Sequence, residues 1–312
     1  MAILASIDMG TNTFRLLVAE VEGASFFKEI CSVKETTRLG EGFSQDKILK
    51  PAAVERAMSA LSHFRDALRE HPVDDLIVVG TSAIREAKNQ KEFIEEIKRK
   101  TGFNVEVISG EQEALCTFLG ANFIIKNQND PMLVMDIGGG STEFIGAEGE
   151  TPTFLMSTEM GVVHLTEKYL RSDPPASEEL KQLRSAIAQI IKPIVYDFPP
   201  KCRFVGTAGS VTTLAAIDQR LTVYDPEKIN GYPLSRAAVE RIFKEVTSMT
   251  LEQRRRVPGL EKGREDILVS GALILLTVMD LFGYDPIYVS DYGMREGLLL
   301  DRYQKKFNAT GT

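Results

Sequence analysis

A chain of 312 residues is long enough for two domains of ordinary size, and 43% hydrophobic with 26% charged residues is the balance of a soluble globular protein. Lys and Arg number 37 against 44 Asp and Glu, a net charge of −7, which argues against an extended nucleic-acid surface but allows a local positive field. No apolar run reaches the ~18 residues of a membrane helix and the opening segment carries no basic leader, so no membrane partner and a cytoplasmic location are expected.

Taken in chain order, alternating apolar positions predict three strands in meander at 4–8, 14–21 and 26–34. A helix follows over 51–71, with apolar residues at Val54, Ala57, Met58, Leu61, Phe64 and Leu68. Strand 76–80, helix 91–100, strand 105–109 and helix 111–123 complete the first half. Glu111 and Glu113 fall in the first turn of that last helix, where the macrodipole favours carboxylates. The polar run 126–131 reads as an inter-domain linker and the pivot of a closing cleft, which sets domains of 1–125 and 126–312.

The pattern then restarts. Strands at 132–136, 142–147 and 153–157 repeat the meander, and helices are expected over 161–170 and 177–196, with Ser177 as N-cap behind Pro174 and Pro175. A strand at 204–206 feeds a loop over 206–210 and a helix at 211–221. Helices over 236–247, 264–282 and 295–307 and a strand at 287–290 close the chain, the final helix being free to cross back to the first domain. Two halves of β-β-β-α-β-α-β-α order imply a duplicated α/β fold with its ligand in the crevice between halves.

The chemistry concentrates in two similar turns. Ile7-Asp8-Met9-Gly10-Thr11-Asn12-Thr13 and Met135-Asp136-Ile137-Gly138-Gly139-Gly140-Ser141-Thr142 each lead from apolar residues through an Asp into Gly and hydroxyl residues. Gly lacks the Cβ that would keep backbone N–H groups from an anion, and the Asp can hold a neutralising cation. Facing each other, two such turns make a phosphate clamp, whereas either one alone also reads as a plain β-hairpin. A dinucleotide fingerprint is disfavoured, because the alternation after Gly140 predicts a strand where that motif needs a helix. Cys31, Cys116, Cys202, His63, His71 and His164 are too scattered for a disulfide framework or a zinc site, so any catalytic metal is oxygen-ligated, Mg²⁺ or Mn²⁺. Arg254-Arg255-Arg256, with Lys262 and Arg264, reads either as a solvated face or as a positive patch.

The duplication with paired phosphate turns resembles the actin/hexokinase/heat-shock ATPase superfamily, an actin-like (ribonuclease H-like) fold. Seven segments in order narrow it: 7–15, 38–42 (Arg-Leu-Gly-Glu-Gly), 80–85 (Gly-Thr-Ser-Ala-Ile-Arg), 108–114 (Ile-Ser-Gly-Glu-Gln-Glu-Ala), 136–143, 206–210 (Gly-Thr-Ala-Gly-Ser) and 290–297 (Ser-Asp-Tyr-Gly-Met-Arg-Glu-Gly). Across nearly its whole length the chain is similar to the exopolyphosphatase and guanosine pentaphosphate phosphohydrolase (Ppx/GppA) family, in a short two-domain form. Longer relatives carry extra C-terminal helical domains, and their absence argues against highly processive binding of long polymers.

That resemblance implies a Mg²⁺-dependent hydrolase that releases the terminal phosphate of inorganic polyphosphate, of guanosine pentaphosphate, or of both. It places Glu113 as the base that activates water, Glu143 and Asp136 as metal and water-orienting carboxylates with Asp8 completing the ligand set, and Arg85 on the phosphates. Three carboxylates near one anion repel it unless a divalent cation intervenes, so the charges also call for Mg²⁺. Gly10, Thr11, Asn12, Thr13, Gly138, Gly139, Gly140, Ser141, Thr142, Gly209 and Ser210 supply neutral contacts to substrate. Residue by residue, Glu113 also reads as a dipole-serving first-turn carboxylate, and Asp8 and Asp136 as caps of their own turns. An ATP-dependent small-molecule kinase of the same superfamily and a non-catalytic polyphosphate- or alarmone-binding regulator are the alternatives, and a homodimer is left open.

Overall fold

The computed structural model describes residues 1–23, 25–43, 46–125, 130–197 and 202–308, and divides into two compact units, Met1–Phe123 with Gly293–Thr312, and Ile124–Tyr292. Positions 126–129 of the expected linker lie outside the described residues.

The first unit is built on β1 (Ala2–Met9), β2 (Phe14–Glu22), β3 (Phe26–Glu35), α1 (Pro51–Glu70), β4 (Asp75–Gly80), α2 (Ser82–Glu86), α3 (Gln90–Thr101), β5 (Glu106–Val107) and α4 (Gly110–Ile125), joined by a C-terminal helix, Met294–Tyr303. Its sheet runs β3-β2-β1-β4-β5, with β1 antiparallel to β2 and parallel to β4. β1 and β2 are buried on both faces and lie inside the sheet. β3 exposes Lys28, Glu29, Ile30, Ser32 and Lys34, and its charged positions suit an edge strand that stays unpaired. Ile7, Phe14, Leu16 and Val18 pack on one face against Leu61 and Phe64 of α1. Leu4, Leu17 and Val79 pack on the other with Leu298 and Leu299 of the C-terminal helix. Strand alternation puts Asp8 on that second face, with Leu4 and Ser6.

The second unit contains β6 (Pro131–Ile137), β7 (Thr142–Glu148), β8 (Thr151–Thr158), α5 (Val162–Tyr169), α6 (Ser177–Ile191), β9 (Arg203–Thr207), α7 (Ala208–Asp218), α8 (Pro226–Ile229), β10 (Pro233–Leu234), α9 (Arg236–Thr247), α10 (Leu251–Arg254), α11 (Leu268–Phe282) and β11 (Ile287–Val289). Sheet order is β10-β11-β9-β6-β7-β8, so each unit sets an antiparallel meander beside parallel strands from later in the chain. α11 is the core helix. Every residue of its first three turns is buried, yet among the described residues no helix is long and apolar enough to cross a membrane.

Several boundaries depart from the sequence reading. The helix expected over 177–196 ends at Ile191 and continues as a 3₁₀ turn, Lys192–Asp197, because Pro193 has no N–H to extend the α-helical ladder. Its N-cap is Ala176 rather than Ser177. The Ala176 N–H donates to Glu179 Oε2 at 2.9 Å, and that bond, ahead of others from Arg171 and Ser172, holds the Glu179 carboxyl below its ordinary range. The loop expected over 206–210 is already helical from Ala208, since residues 209–217 are buried and packing overrides the loop-like composition. Four short elements, α2, α8, α10 and β10, span too few residues to show a period.

The basic cluster also resolves differently. Arg254 is buried, donating from Nε to Val246 O (2.8 Å) and from Nη1 to Glu265 O (3.3 Å), and desolvation lowers its pKa. Arg255 pairs with Glu252 at the surface. Arg254 is thus a tie within the fold and not part of a positive patch. Arg254→Ala should strip those carbonyls of a charged donor and leave a cavity, lowering stability by about 2–4 kcal/mol, read by urea denaturation. A loss under about 0.5 kcal/mol would return Arg254 to the surface class.

Candidate active site

In the first unit the chain turns between β1 and β2 with the Gly10 N–H donating to Thr13 O at 3.2 Å, and Thr11, Asn12 and Thr13 are buried. The Thr11 and Asn12 carbonyls accept from the N–H groups of Gly40 and Arg38, both at 2.8 Å. Arg56 secures that bracing segment through Thr37 O (2.7 Å), Arg38 O (3.2 Å) and the Glu41 carboxylate (2.6 Å). In a trans peptide N–H and C=O point opposite ways, so the Asn12 and Thr13 amides are directed away from residues 38–40. Asp8 stands opposite Arg15 in the β1–β2 register.

Glu113 is fixed from two sides. Ser109 and Gln112 form a reciprocal cap at the start of α4, with the Ser109 N–H donating to Gln112 Oε1 (2.9 Å) and the Gln112 N–H to Ser109 Oγ (3.1 Å). Arg85, on the short helix that follows β4, donates from Nη1 to Ile108 O at 2.9 Å and to Glu113 Oε2 at 3.0 Å. Only 12% of the Glu113 side chain and 25% of Arg85 are exposed. Arg85, expected on the phosphates, therefore also anchors Glu113, a contact that the 28-residue separation hides from the sequence.

In the second unit the Gly138 N–H donates to Ser141 O at 3.0 Å, and the Gly138 and Gly139 carbonyls accept from Val162 and Val163 (3.0 and 2.9 Å), the first amides of α5. The register sets Asp136 opposite Glu143, so the two carboxylates share one sheet face. Glu143 is 1% exposed and accepts from Ser157 Oγ at 2.7 Å. The Thr142 hydroxyl donates to Met160 O, and Ser141 is buried beside Gly140. Thr207 runs beside Asp136 in the parallel β6–β9 pair, which brings Gly209 and Ser210 to the same sheet edge at the start of α7. Ala208, between them and the strand, has φ +66°, a strained backbone for a residue with a Cβ. The buried Arg264 guanidinium lies against Gly209, where a Cβ would meet Nη2 at 1.8 Å, and its Nε donates to Glu261 at 2.8 Å. Nothing in the spacing of Gly209 and Arg264 signals that contact.

Among the described residues no three His, Cys, Asp or Glu side chains gather as a ready-made metal cage. Asp136 and Glu143 offer a pair of oxygen donors within the second unit. Magnesium is commonly held by one or two carboxylates with water and substrate phosphates completing its shell, so this donor set fits that ion better than calcium or zinc.

A model of the Ppx/GppA phosphatase family matches residues 17–306. The chain belongs to the Ppx/GppA phosphatase family. It is 31% identical over 311 residues to exopolyphosphatase 2 of Mycobacterium tuberculosis, covering 95% of this chain and 97% of that protein. It is 33% identical to a bifunctional 3-dehydroquinate synthase/phosphatase of Fusobacterium nucleatum, covering 97% of this chain but only 47% of that longer protein. Among solved structures, an exopolyphosphatase from Cytophaga hutchinsonii superposes with TM-score 0.89 at 30% identity, over 96% of this chain and 98% of that one. The Aquifex aeolicus Ppx/GppA family member gives 0.82 at 32% identity, over 98% of each. The fold is accordingly the Ppx/GppA one, two α/β domains related to the actin superfamily, and phosphohydrolase activity is what membership carries at the level of the family.

The Arg85–Glu113 contact can be weighed by a double-mutant cycle of Arg85→Met and Glu113→Gln. A coupling of about 1–2 kcal/mol in folding stability is expected, less than a fully buried pair gives because Arg85 keeps part of its side chain in water. A coupling indistinguishable from zero would make the contact incidental.

Proposed function

We propose that this Ppx/GppA family member hydrolyses the terminal phosphoanhydride bond of inorganic polyphosphate or of guanosine pentaphosphate. The observation that carries the reading is Glu113, mostly buried, at the first turn of α4 and held by Arg85. A base for water needs a fixed carboxylate near the attacked phosphorus, and general-base help contributes ~10²–10⁴ in rate. The Asn12 and Thr13 amides of the first turn and the Gly139 and Gly140 amides of the second suit phosphate oxygens, because the carbonyls of the same peptide units are already engaged by the N–H groups of Gly40, Arg38, Val162 and Val163.

In this mechanism Glu113 takes a proton from water as the water oxygen bonds to the terminal phosphorus. The bridging P–O bond breaks, orthophosphate departs, the shortened chain keeps the bridging oxygen, and Glu113 returns its proton to solvent. Arg85 orients the carboxylate and is available to the phosphate oxygens, as its planar fork of donors allows. Asp136 and Glu143, with Asp8, would hold Mg²⁺, which when bound supplies the charge that lets an anionic polymer approach three carboxylates.

Phosphate release from long polyphosphate, short polyphosphate and guanosine pentaphosphate, each with Mg²⁺, tests the substrate class. Glu113→Gln should lower turnover ~10²–10⁴-fold while substrate still binds, and near-normal turnover would remove Glu113 from the mechanism. Chelation should stop phosphate release and Mg²⁺ or Mn²⁺ restore it, with Asp136→Asn needing more metal. A zinc-specific requirement, or unchanged metal dependence in Asp136→Asn, would refute the ligand assignment.

A further inference from the structure

The 290–297 segment takes no part in the proposed chemistry, yet its residues from Gly293 on, which belong to the first unit, bring their backbone against the helix that carries Glu113. A Cβ on Gly297 would lie 1.7 Å from the carbonyl oxygen of Cys116 and 2.6 Å from its carbon, and a Cβ on Gly120 would lie 2.0 Å from the carbonyl oxygen of Gly293. Residues 116 and 120 are one turn apart on α4, and 293 and 297 are one turn apart at the start of the Met294–Tyr303 helix. The two helices thus meet main chain to main chain at successive turns, with no side chain between them to yield.

The C-terminal helix is in turn fixed to the sheet. Glu296, 2% exposed, accepts from the Gly293 N–H at 2.9 Å and pairs with Arg295 at 3.1 Å. The Arg295 carbonyl accepts from Ser6 Oγ at 3.2 Å, two residues before Asp8 on β1, and Arg295 Nη1 donates to Ser32 Oγ at 3.2 Å. Cys116 lies three residues beyond Glu113, on the neighbouring position of the same helix face. We infer that the start of the C-terminal helix is a backstop that positions Glu113, with Gly297 and Gly120 as positioning residues that set how closely α4 approaches that helix. This rests on the proposed role of Glu113 as the base.

A methyl group at 297 cannot be absorbed by side-chain rotation. It needs α4 to retreat by roughly 1 Å, and an offset of that size at a reacting group costs on the order of 10²-fold in rate. Gly297→Ala should therefore lower kcat ~10–100-fold with KM little changed, and the double variant with Glu113→Gln should be no slower than Glu113→Gln alone, because both act through one carboxylate. A crystal structure of Gly297→Ala should show Glu113 moved away from Arg85. Losses that multiply in the double variant, an unchanged kcat in folded Gly297→Ala, or an unmoved Glu113 would each overturn the inference. Should Gly297→Ala fail to fold, Glu296→Gln, which only loosens the first turn of the C-terminal helix, decides by the same readouts. If the unsubstituted protein releases no phosphate from any of the three substrates, the proposed function fails, while the position of Glu113 in the crystal still tests the backstop.

Discussion

Pairing between β6 and β7 puts two carboxylates side by side, and much of the site's character follows from that register. Asp136 and Glu143 are opposite one another across an antiparallel pair, and like charges so placed destabilise a sheet. Glu143 is buried, with the Ser157 hydroxyl as one compensating donor. The turn in the first unit has the same outline but opposite electrostatics, since Asp8 faces Arg15 across β1 and β2. Two turns that look equivalent in sequence therefore differ in net charge. In the proposed site the cation would offset the Asp136–Glu143 pair, two negative charges set opposite one another across one strand pair.

Each turn solves the same backbone problem with different material. Bound anions need N–H groups, but a tight turn exposes carbonyls as well, which would repel a phosphate. In the first unit the Arg38 and Gly40 amides take up the carbonyls, and in the second the opening amides of α5 do so. This gives the 38–42 signature a physical task, bracing the 10–13 turn, which its Gly and charged residues alone did not reveal.

The legible part of the fold was whatever repeats within a few residues. Alternation gave both meanders to within two residues at each end, and the 236–247 helix appears with those bounds. What depends on residues distant in the chain was not legible. The burial that turns 208–210 into helix comes from packing, the burial of Arg254 from carbonyls 8 and 11 residues away, and the Arg85–Glu113 contact from the parallel placement of β4 and β5. Motif resemblance named Glu113 and Arg85 separately without indicating that they touch. The acidic pair is an intermediate case, because Asp136 and Glu143 follow from the turn once it is read as a hairpin of known register.

Why Glu113 sits on a helix and not a strand has a related answer. A helix terminus fixes its first-turn side chains through caps and the dipole, and here Ser109 and Gln112 do this locally. Caps set the orientation of a helix end but not its distance from the helix packed against it, which is fixed by the side chains or backbones that touch it. At Cys116 and Gly120 that contact is with backbone, and backbone is the least compressible partner available in a protein interior. Glycine at 297 and 120 is then a requirement of distance rather than of flexibility. The two small residues let α4 seat at one distance, from which the caps and Arg85 complete the aim of a single carboxylate.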